Sequence, residues 1–297
     1  MQRRDFIINT ALSAIAVSAT GFIRFNGKQY VGDCETTTDI LGPYYRPDSP
    51  LRSNLIVKGE EGIPVELSGI ICHKDCISPY KNAKIELWHC SSKGVYDNTS
   101  AAYKNRGTVY TDDKGRYSFK TVLPVPYDIG NGKFRPAHFH MMISAAGYQP
   151  LITQLYFSGD VHIAEDDSAS APAAKKRILE VQNMQDGTKK VIYNVGMSEK
   201  LAASPDSIDK LIGIYTDEKD PKEKTEFFKK DNLLWLKNEV YGMNFEYTGD
   251  NTFIYPGLAK GSISLHFDIL PSGAIKLTNK YTNEKGEEQT MISKKEK

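Results

Sequence analysis

Beyond its first twenty residues the sequence has no apolar run approaching about 18 residues, which excludes a membrane-spanning helix from that part of the chain. It also lacks an excess of either charge. Lys and Arg number 38 and Asp and Glu 37, a net charge of +1, so no bulk field draws the protein to nucleic acid or an anionic membrane. The basic clusters it does have, Lys175-Lys176-Arg177 and Lys294-Lys295, are small and read as solvated surface. Cysteines are few: Cys34, Cys72, Cys76 and Cys90.

What is present starts with the N-terminus. Arg3-Arg4 precede an apolar run over residues 6–17, with Ala16, Ser18 and Ala19 at its end. A basic start, a short apolar stretch and small residues near a cleavage point read as a signal peptide over residues 1–20. The Arg3-Arg4-Asp5-Phe6 pattern resembles the twin-arginine export signal. The expected location is therefore outside the cytoplasm, periplasmic or secreted. There, disulfides or buried free thiols are the better reading of the cysteines. The alternative is structural zinc at Cys72-His73-Lys74-Asp75-Cys76 with His89-Cys90, but that spacing is loose for such a site.

The 297 residues suit one large domain plus a smaller one, and 40% hydrophobic content is enough for a core. Residues 21–35 read as a tether. From Ile40 onward, turn residues alternate with short runs of period two. Ile85-Leu87-His89 interleaves with Glu86-Trp88-Cys90, and Leu151-Thr153-Leu155-Phe157 is another such run. The pattern predicts an all-β sandwich over residues 36–197. Residues 165–176 are small and polar, and read as a surface loop or short helix. Val191-Tyr193-Val195 reads as a closing strand. Composition shifts near residues 198–207. Residues 205–297 then predict a small antiparallel, up-and-down β domain, with strands including Leu211-Gly213-Tyr215 and a lone, structural His266.

The chemistry centres on Arg135-Pro136-Ala137-His138-Phe139-His140-Met141. Residues two apart on a strand share a face, so His138 and His140 present paired imidazoles, which suit zinc, copper, iron or nickel. Tyr127 follows Pro124-Val125-Pro126 in a rigid segment, and Tyr96 follows Lys93-Gly94-Val95. Two phenolates added to two imidazoles favour a trivalent ion, with ferric iron the obvious candidate.

Several segments resemble the intradiol ring-cleavage dioxygenases, which include catechol 1,2-dioxygenases and protocatechuate 3,4-dioxygenases. They are Leu41-Gly42-Pro43-Tyr44-Tyr45-Arg46-Pro47, Ile85-Glu86-Leu87-Trp88 with Gly94-Val95-Tyr96, Thr111-Asp112-Asp113-Lys114-Gly115-Arg116-Tyr117-Ser118-Phe119, Pro126-Tyr127, the arginine–histidine segment, and Thr153-Gln154-Leu155-Tyr156-Phe157. The resemblance spans residues 36–197 in order. It implies non-haem ferric iron held by Tyr96, Tyr127, His138 and His140. It further implies a catechol-type substrate that chelates the iron, with Tyr127 helping to take up its protons, and ring opening by dioxygen between the two hydroxyl-bearing carbons to a muconate-type diacid. Arg135 and Gln154 match the family's catalytic arginine and glutamine, as Tyr127 matches its displaceable tyrosine. Gly42, Pro43 and Tyr44 match the wall of the substrate pocket.

Three features depart from the family. About 40 residues precede Leu41 and the first 20 or so read as signal, so the long helical dimerisation domain of catechol 1,2-dioxygenases is expected to be absent, with a homo-oligomer left open. Asp128-Ile129 stand where protocatechuate enzymes carry an aromatic, and no cationic partner for a substrate carboxylate is apparent. Residues 200–297 fall outside the resemblance, leaving surface docking or substrate recruitment as roles for them. The competing reading is a non-catalytic, transthyretin-like module that binds a ligand or partner, favoured by the generic turn over residues 112–119.

Overall fold

The computed structural model describes residues 23–25, 30–32, 36–198, 202–256, 263–282 and 287–296. The stretch read as a signal peptide and Cys34 lie outside the described residues. Within the stretch read as a tether, β1 (Ile23–Phe25) and β2 (Tyr30–Gly32) pair antiparallel.

The strands that follow are β3 (Pro64–Cys72), β4 (Lys84–Trp88), β5 (Arg106–Tyr110), β6 (Arg116–Val122), β7 (Tyr127–Gly130), β8 (Lys133–Arg135), β9 (His138–Ser144), β10 (Leu151–Phe157), β11 (Ile178–Leu179), β12 (Gln182–Asn183), β13 (Lys189–Ile192) and β14 (Val195–Gly196). They build the sandwich that the alternation predicts. One sheet has the order β11-β10-β9-β4-β5, and the other has β12-β13-β3-β14 with β6 also paired to β3. β7 and β8 form a separate hairpin.

Period-two alternation decides which side chains enter the core. Ile85 and Leu87 of β4, Phe139, Met141 and Ile143 of β9, and Leu151, Leu155 and Phe157 of β10 meet Leu67, Phe119 and Val191 of the opposite sheet. The alternate residues of these strands are buried too. Their outer face is covered by residues 41–45 and by the second half of the chain, and it carries the polar side chains described below. Residues 165–176 are less superficial than expected. Asp166, Ser168, Ala169, Ala171 and Ala174 are buried, and a short 3-10 helix spans Pro172–Arg177. Arg177, read from sequence as part of a solvated basic cluster, is 1% exposed. It is drawn inward by a buried carboxylate far away in sequence, described below.

The second half is a closed antiparallel barrel. Its strands are β15 (Gly213–Asp217), β16 (Lys224–Lys230), β17 (Leu233–Lys237), β18 (Gly242–Gly249), β19 (Thr252–Ile254), β20 (Ser264–Ile269), β21 (Ile275–Thr282) and β22 (Glu288–Lys295). Each pairs with the next, and β22 returns to β15, so no edge is left unpaired. Tyr215, Phe227, Leu234, Phe245, Phe253, Leu265, Phe267 and Leu277 fill the interior. Leu211, expected to open a strand, instead closes helix α1 (Pro205–Leu211). The Ser204 hydroxyl accepts from the Ser207 N–H at 3.1 Å and Pro205 occupies the first turn, a start signal strong enough to override the local alternation. His266 bonds Thr252 Oγ1 at 2.8 Å and sits 3.2 Å from Asp268, consistent with its structural reading. Among the described residues no helix is long and apolar enough to cross a membrane.

Candidate metal centre

β9 is the organising strand. His138 and His140 project from its outer face while Phe139 and Met141 enter the core. In the antiparallel ladder Gln154 lies opposite His140 and Tyr156 opposite His138. On the other side Trp88 lies opposite His140 and stacks on its imidazole, with ring centroids 5.0 Å apart and planes 5° from parallel. The two histidines are thus fixed by a sheet rather than by loops, and both are 1% exposed.

The tyrosines arrive from two connections. Tyr96 follows the tight turn of residues 91–95, where the Gly94 N–H donates to the Ser91 carbonyl at 3.0 Å. A Cβ at Gly94 would lie 3.0 Å from Tyr127 Cβ, so a glycine allows this turn to pass close to Tyr127. Tyr127 opens β7 directly opposite Arg135 of β8. Tyr96 Oη lies 3.0 Å from His140 Nε2 and 3.3 Å from His138 Nε2, and those two nitrogens are 3.1 Å apart. The Tyr127 ring packs edge-on against Tyr96 at 5.6 Å and lies 5.7 Å from the His138 ring. All four side chains read from sequence as metal ligands therefore come together.

Their protonation states make the grouping notable. Burial, reinforced by Arg135, holds His138 well below the ordinary histidine value. Burial and then His138 do the same to His140. Burial and the Tyr127 oxygen push Tyr96 far up. Burial lifts Tyr127 to about 12, with Arg135 opposing. The side chains alone form a neutral set of two phenols and two imidazoles.

That set fits a cation. His138 Nδ1 lies 2.6 Å from the Pro136 carbonyl oxygen and must donate to it, which leaves Nε2 as a bare lone pair aimed at the cluster. His140 Nδ1 is buried without a hydrogen-bond partner among the described residues. Two imidazole nitrogens at 3.1 Å repel unless a proton or a metal ion lies between them. Phenol oxygens beside them add hard donors suited to a highly charged ion.

Arg135 and Gln154 form one unit beside this cluster. Arg135 Nη2 donates to Gln154 Oε1 at 2.8 Å. Arg135 Nε is 2.5 Å from Asp166 Oδ2, an ion pair without a well-aligned hydrogen bond. Gln154, fully buried, donates through Nε2 to the Ile40 carbonyl at 2.6 Å. Behind it stand residues the sequence reading did not select. The Tyr156 hydroxyl lies 2.9 Å from Asp39 Oδ2 and 3.1 Å from Gln154 Oε1. Asp39 pairs with Arg177, whose Nη1 also donates to the Gln154 carbonyl at 3.0 Å. Only Tyr156 had a local signal, since it alternates with Gln154 on the same strand.

Of the residues expected to wall a pocket, Gly42 abuts His140: a Cβ there would lie 3.0 Å from its Cε1. Tyr44 stacks on Tyr96 at 4.3 Å. Pro43, between them, is exposed. The zinc alternative does not hold. Cys76 is disulfide-bonded, Cys72 and Cys90 are free, and among the described residues no three His, Cys, Asp or Glu side chains cluster as metal ligands.

The β-sandwich gathers two phenols and two imidazoles beside a partly buried arginine, a donor set with the chemistry to hold a metal ion. Known proteins narrow it. The family profile described as Dioxygenase matches residues 40–198. A catechol 1,2-dioxygenase of Candida albicans is 34% identical over 164 residues, covering 48% of this chain and 53% of that protein. A chlorocatechol 1,2-dioxygenase of Rhodococcus opacus is 33% identical over 167 residues, covering 48% and 63%. The crystal structure of catechol 1,2-dioxygenase from Pseudomonas arvilla C-1 shares the fold, with a TM-score of 0.51 over 58% of this chain and 64% of that one at 24% identity. The chain belongs to the intradiol ring-cleavage dioxygenase family. It spans between half and two thirds of the length of these two relatives.

Proposed function

We propose that the protein is a non-haem, ferric-iron-dependent dioxygenase that cleaves a catechol-type ring between its hydroxyl-bearing carbons with dioxygen, giving a muconate-type diacid. The observation that carries this reading is the convergence of Tyr96, His138 and His140 within 3.0 to 3.3 Å, with Tyr127 against them and the Arg135–Gln154 pair alongside. The relatives are named for catechol and chlorocatechol, which supports a small dihydroxylated aromatic as substrate.

Tyr96, Tyr127, His138 and His140 would hold the ion. Bound iron(III) supplies a Lewis acid that accepts phenolate and catecholate oxygens and makes the bound ring reactive toward dioxygen. The chain's own groups do the rest. The Pro136 carbonyl locks the His138 tautomer with Nε2 free. Tyr127 Oη, which keeps its proton to about pH 12 in the neutral cluster, gives it up only beside a strong cation. It can take a proton back when a catechol arrives, which makes it a proton acceptor for the substrate hydroxyl. Arg135, oriented by Gln154 and Asp166, holds a fixed positive charge where negative charge develops on the ring. Burial of the histidines and Tyr96 keeps bulk water from these contacts.

A purely ligand-binding sandwich would have no use for a desolvated guanidinium clamped by an amide and a carboxylate next to four convergent donors. The test is dioxygen uptake with a panel of catechols on iron-loaded protein, identifying the product. A muconate supports the reading. A semialdehyde would indicate extradiol cleavage and overturn it, as would a colourless protein that binds no iron. We also propose export, on the Arg3-Arg4 segment. Lysine substitution of both arginines should leave the chain in the cytoplasm of the producing cell, and unchanged export would discard the twin-arginine reading.

A further inference from the structure

The barrel lies outside the family match, yet its outer face is built against residues 41–45. Phe228 and Lys230 of β16 and Leu233 and Trp235 of β17 share that face through the ladder pairs Phe228 with Trp235 and Lys230 with Leu233. Trp235 points out of the barrel and is still fully buried, because Tyr45 and Tyr241 cover it at 5.7 and 5.5 Å. Lys230 Nζ donates to the Tyr45 hydroxyl at 3.1 Å. The same ammonium lies 5.1 Å from the Tyr45 ring centre and 5.0 Å from that of Tyr241. The Tyr45 hydroxyl in turn donates to Glu86 Oε1 at 3.4 Å, and Glu86 is a buried carboxylate of β4.

Tyr45 carries this contact to the cluster by two routes. Its ring meets Trp88 edge-on at 5.1 Å, and Trp88 is the residue stacked on His140. Its chain neighbour Tyr44 turns to the other side and stacks on Tyr96. Three residues before Tyr45, Gly42 abuts His140. Residues 41–45 thus touch two of the four donors and are fastened at Tyr45 to the barrel.

We infer that Lys230 and Trp235 are positioning residues for the metal centre. Through Tyr45 they fix residues 41–45, and with them the places of His140 and Tyr96. The barrel is then part of the site's support, in addition to anything else it binds. This rests on the iron-centre reading above. Lys230 is suited to the task because its ammonium is held by two aromatic faces and a hydroxyl, and so does not wander as an exposed lysine would.

The test uses full-length, iron-loaded protein. Lys230→Met and Trp235→Leu are compared with Lys237→Met, which breaks only the exposed Lys237–Glu226 ion pair of the same barrel. Iron release to a chelator, the wavelength of the tyrosinate-to-iron absorption, and KM against kcat for catechol are measured, with circular dichroism confirming the fold. Lys230→Met and Trp235→Leu should release iron about fivefold faster and raise KM by a similar factor, the scale of one lost hydrogen bond. Their absorption band should shift, Lys230→Arg should restore the wild-type values, and Lys237→Met should change nothing. If neither barrel variant folds, Tyr45→Phe removes the hydroxyl alone and is read by the same measurements. Folded variants with wild-type iron release and absorption overturn this inference alone. An iron-free, colourless wild-type protein overturns the iron-centre reading and this inference with it.

Discussion

Tyr127 and Arg135 are cross-strand partners in the β7–β8 hairpin, which sets a partly buried phenol beside a partly buried guanidinium. Burial raises the phenol and the guanidinium pulls it back, leaving it at about 12. Tyr96, more deeply buried, is raised well above its ordinary value by burial and then by the Tyr127 oxygen. Tyr127→Phe should keep the fold, weaken the tyrosinate-to-iron colour and slow turnover by about 100-fold, the scale of a lost proton acceptor. Absorption spectra and dioxygen uptake check this. An unchanged spectrum and rate would remove Tyr127 from the ligand set.

Arg135 touches Gln154 and Asp166 at once. Arg135→Gln deletes the positive charge and strands the Asp166 carboxylate, which is 5% exposed. Turnover should fall by about 100-fold or more, as for other removed charge stabilisers, while iron binding persists. Stability should drop by about 3 kcal/mol because a buried charge loses its partner. Arg135→Lys should rescue little, since one ammonium cannot serve both partners in the geometry of the guanidinium. Steady-state kinetics and urea unfolding separate the two losses.

The sheet and the histidine pair were legible because their signals are local, whereas Tyr96, 42 residues before His138, and Tyr127 joined them through the family resemblance. Ile85 with Leu87, and His138 with His140, lie two apart on a strand, and period two alone assigns their faces. The support behind Gln154 was not legible. Arg177 ends a Lys-Lys-Arg run that looks solvated, and its partner Asp39 is 138 residues away. Nothing local says that a guanidinium there is buried. Barrel closure was hidden for the same reason, since β15 pairs with β22 across most of the second half although each hairpin between them carries its own turn. Helix α1 did carry a local signal, Ser204 before Pro205, outweighed in the reading by the apolar alternation that follows.

The Asp39–Arg177 pair is almost completely buried on both sides. Burial raises the Asp39 carboxyl above its ordinary value against the pull of Arg177, so the pair exists at a desolvation cost. Arg177→Met should destabilise the protein by about 3–5 kcal/mol, because it leaves the carboxylate alone. Adding Asp39→Asn should recover a large part of that loss. A double-mutant cycle by urea unfolding reads the coupling, and strictly additive losses would show that the two side chains do not act as a pair.

Three histidines are buried and neutral in the iron-free protein: His89, lowered by burial to about 4, and His138 and His140, lowered well below 6.5. Each has a folded-state pKa below its unfolded value. Below about pH 6.5 the unfolded chain therefore binds protons that the folded chain refuses. Stability from this source is complete above pH 6.5 and is lost as pH falls, for His89 until about pH 4, at about 1.4 kcal/mol per pH unit for each histidine. Denaturant unfolding of iron-free protein between pH 7.5 and 5 should show the decline, whereas a flat profile would mean that these imidazoles titrate in the folded protein as they do in the unfolded chain.

Gly42 combines two constraints at one backbone position. Its φ is +73°, and a Cβ there would lie 3.0 Å from His140 Cε1 and 3.7 Å from Nε2. Alanine in this left-handed conformation costs about 1–2 kcal/mol. The methyl must also displace an imidazole that cannot retreat freely, because Trp88 is stacked on it at 5.0 Å. A shift of a few tenths of an ångström at His140 moves one donor relative to Tyr96 and His138, which lie 3.0 and 3.1 Å from it. Gly42→Ala should therefore lower the thermal midpoint modestly and weaken iron retention by about tenfold, the lower end of losses when a metal ligand is misdirected. Iron content after chelator dialysis, set beside thermal unfolding, distinguishes the two effects. A variant that is merely less stable, with full iron content, would show that His140 does not depend on the backbone at residue 42.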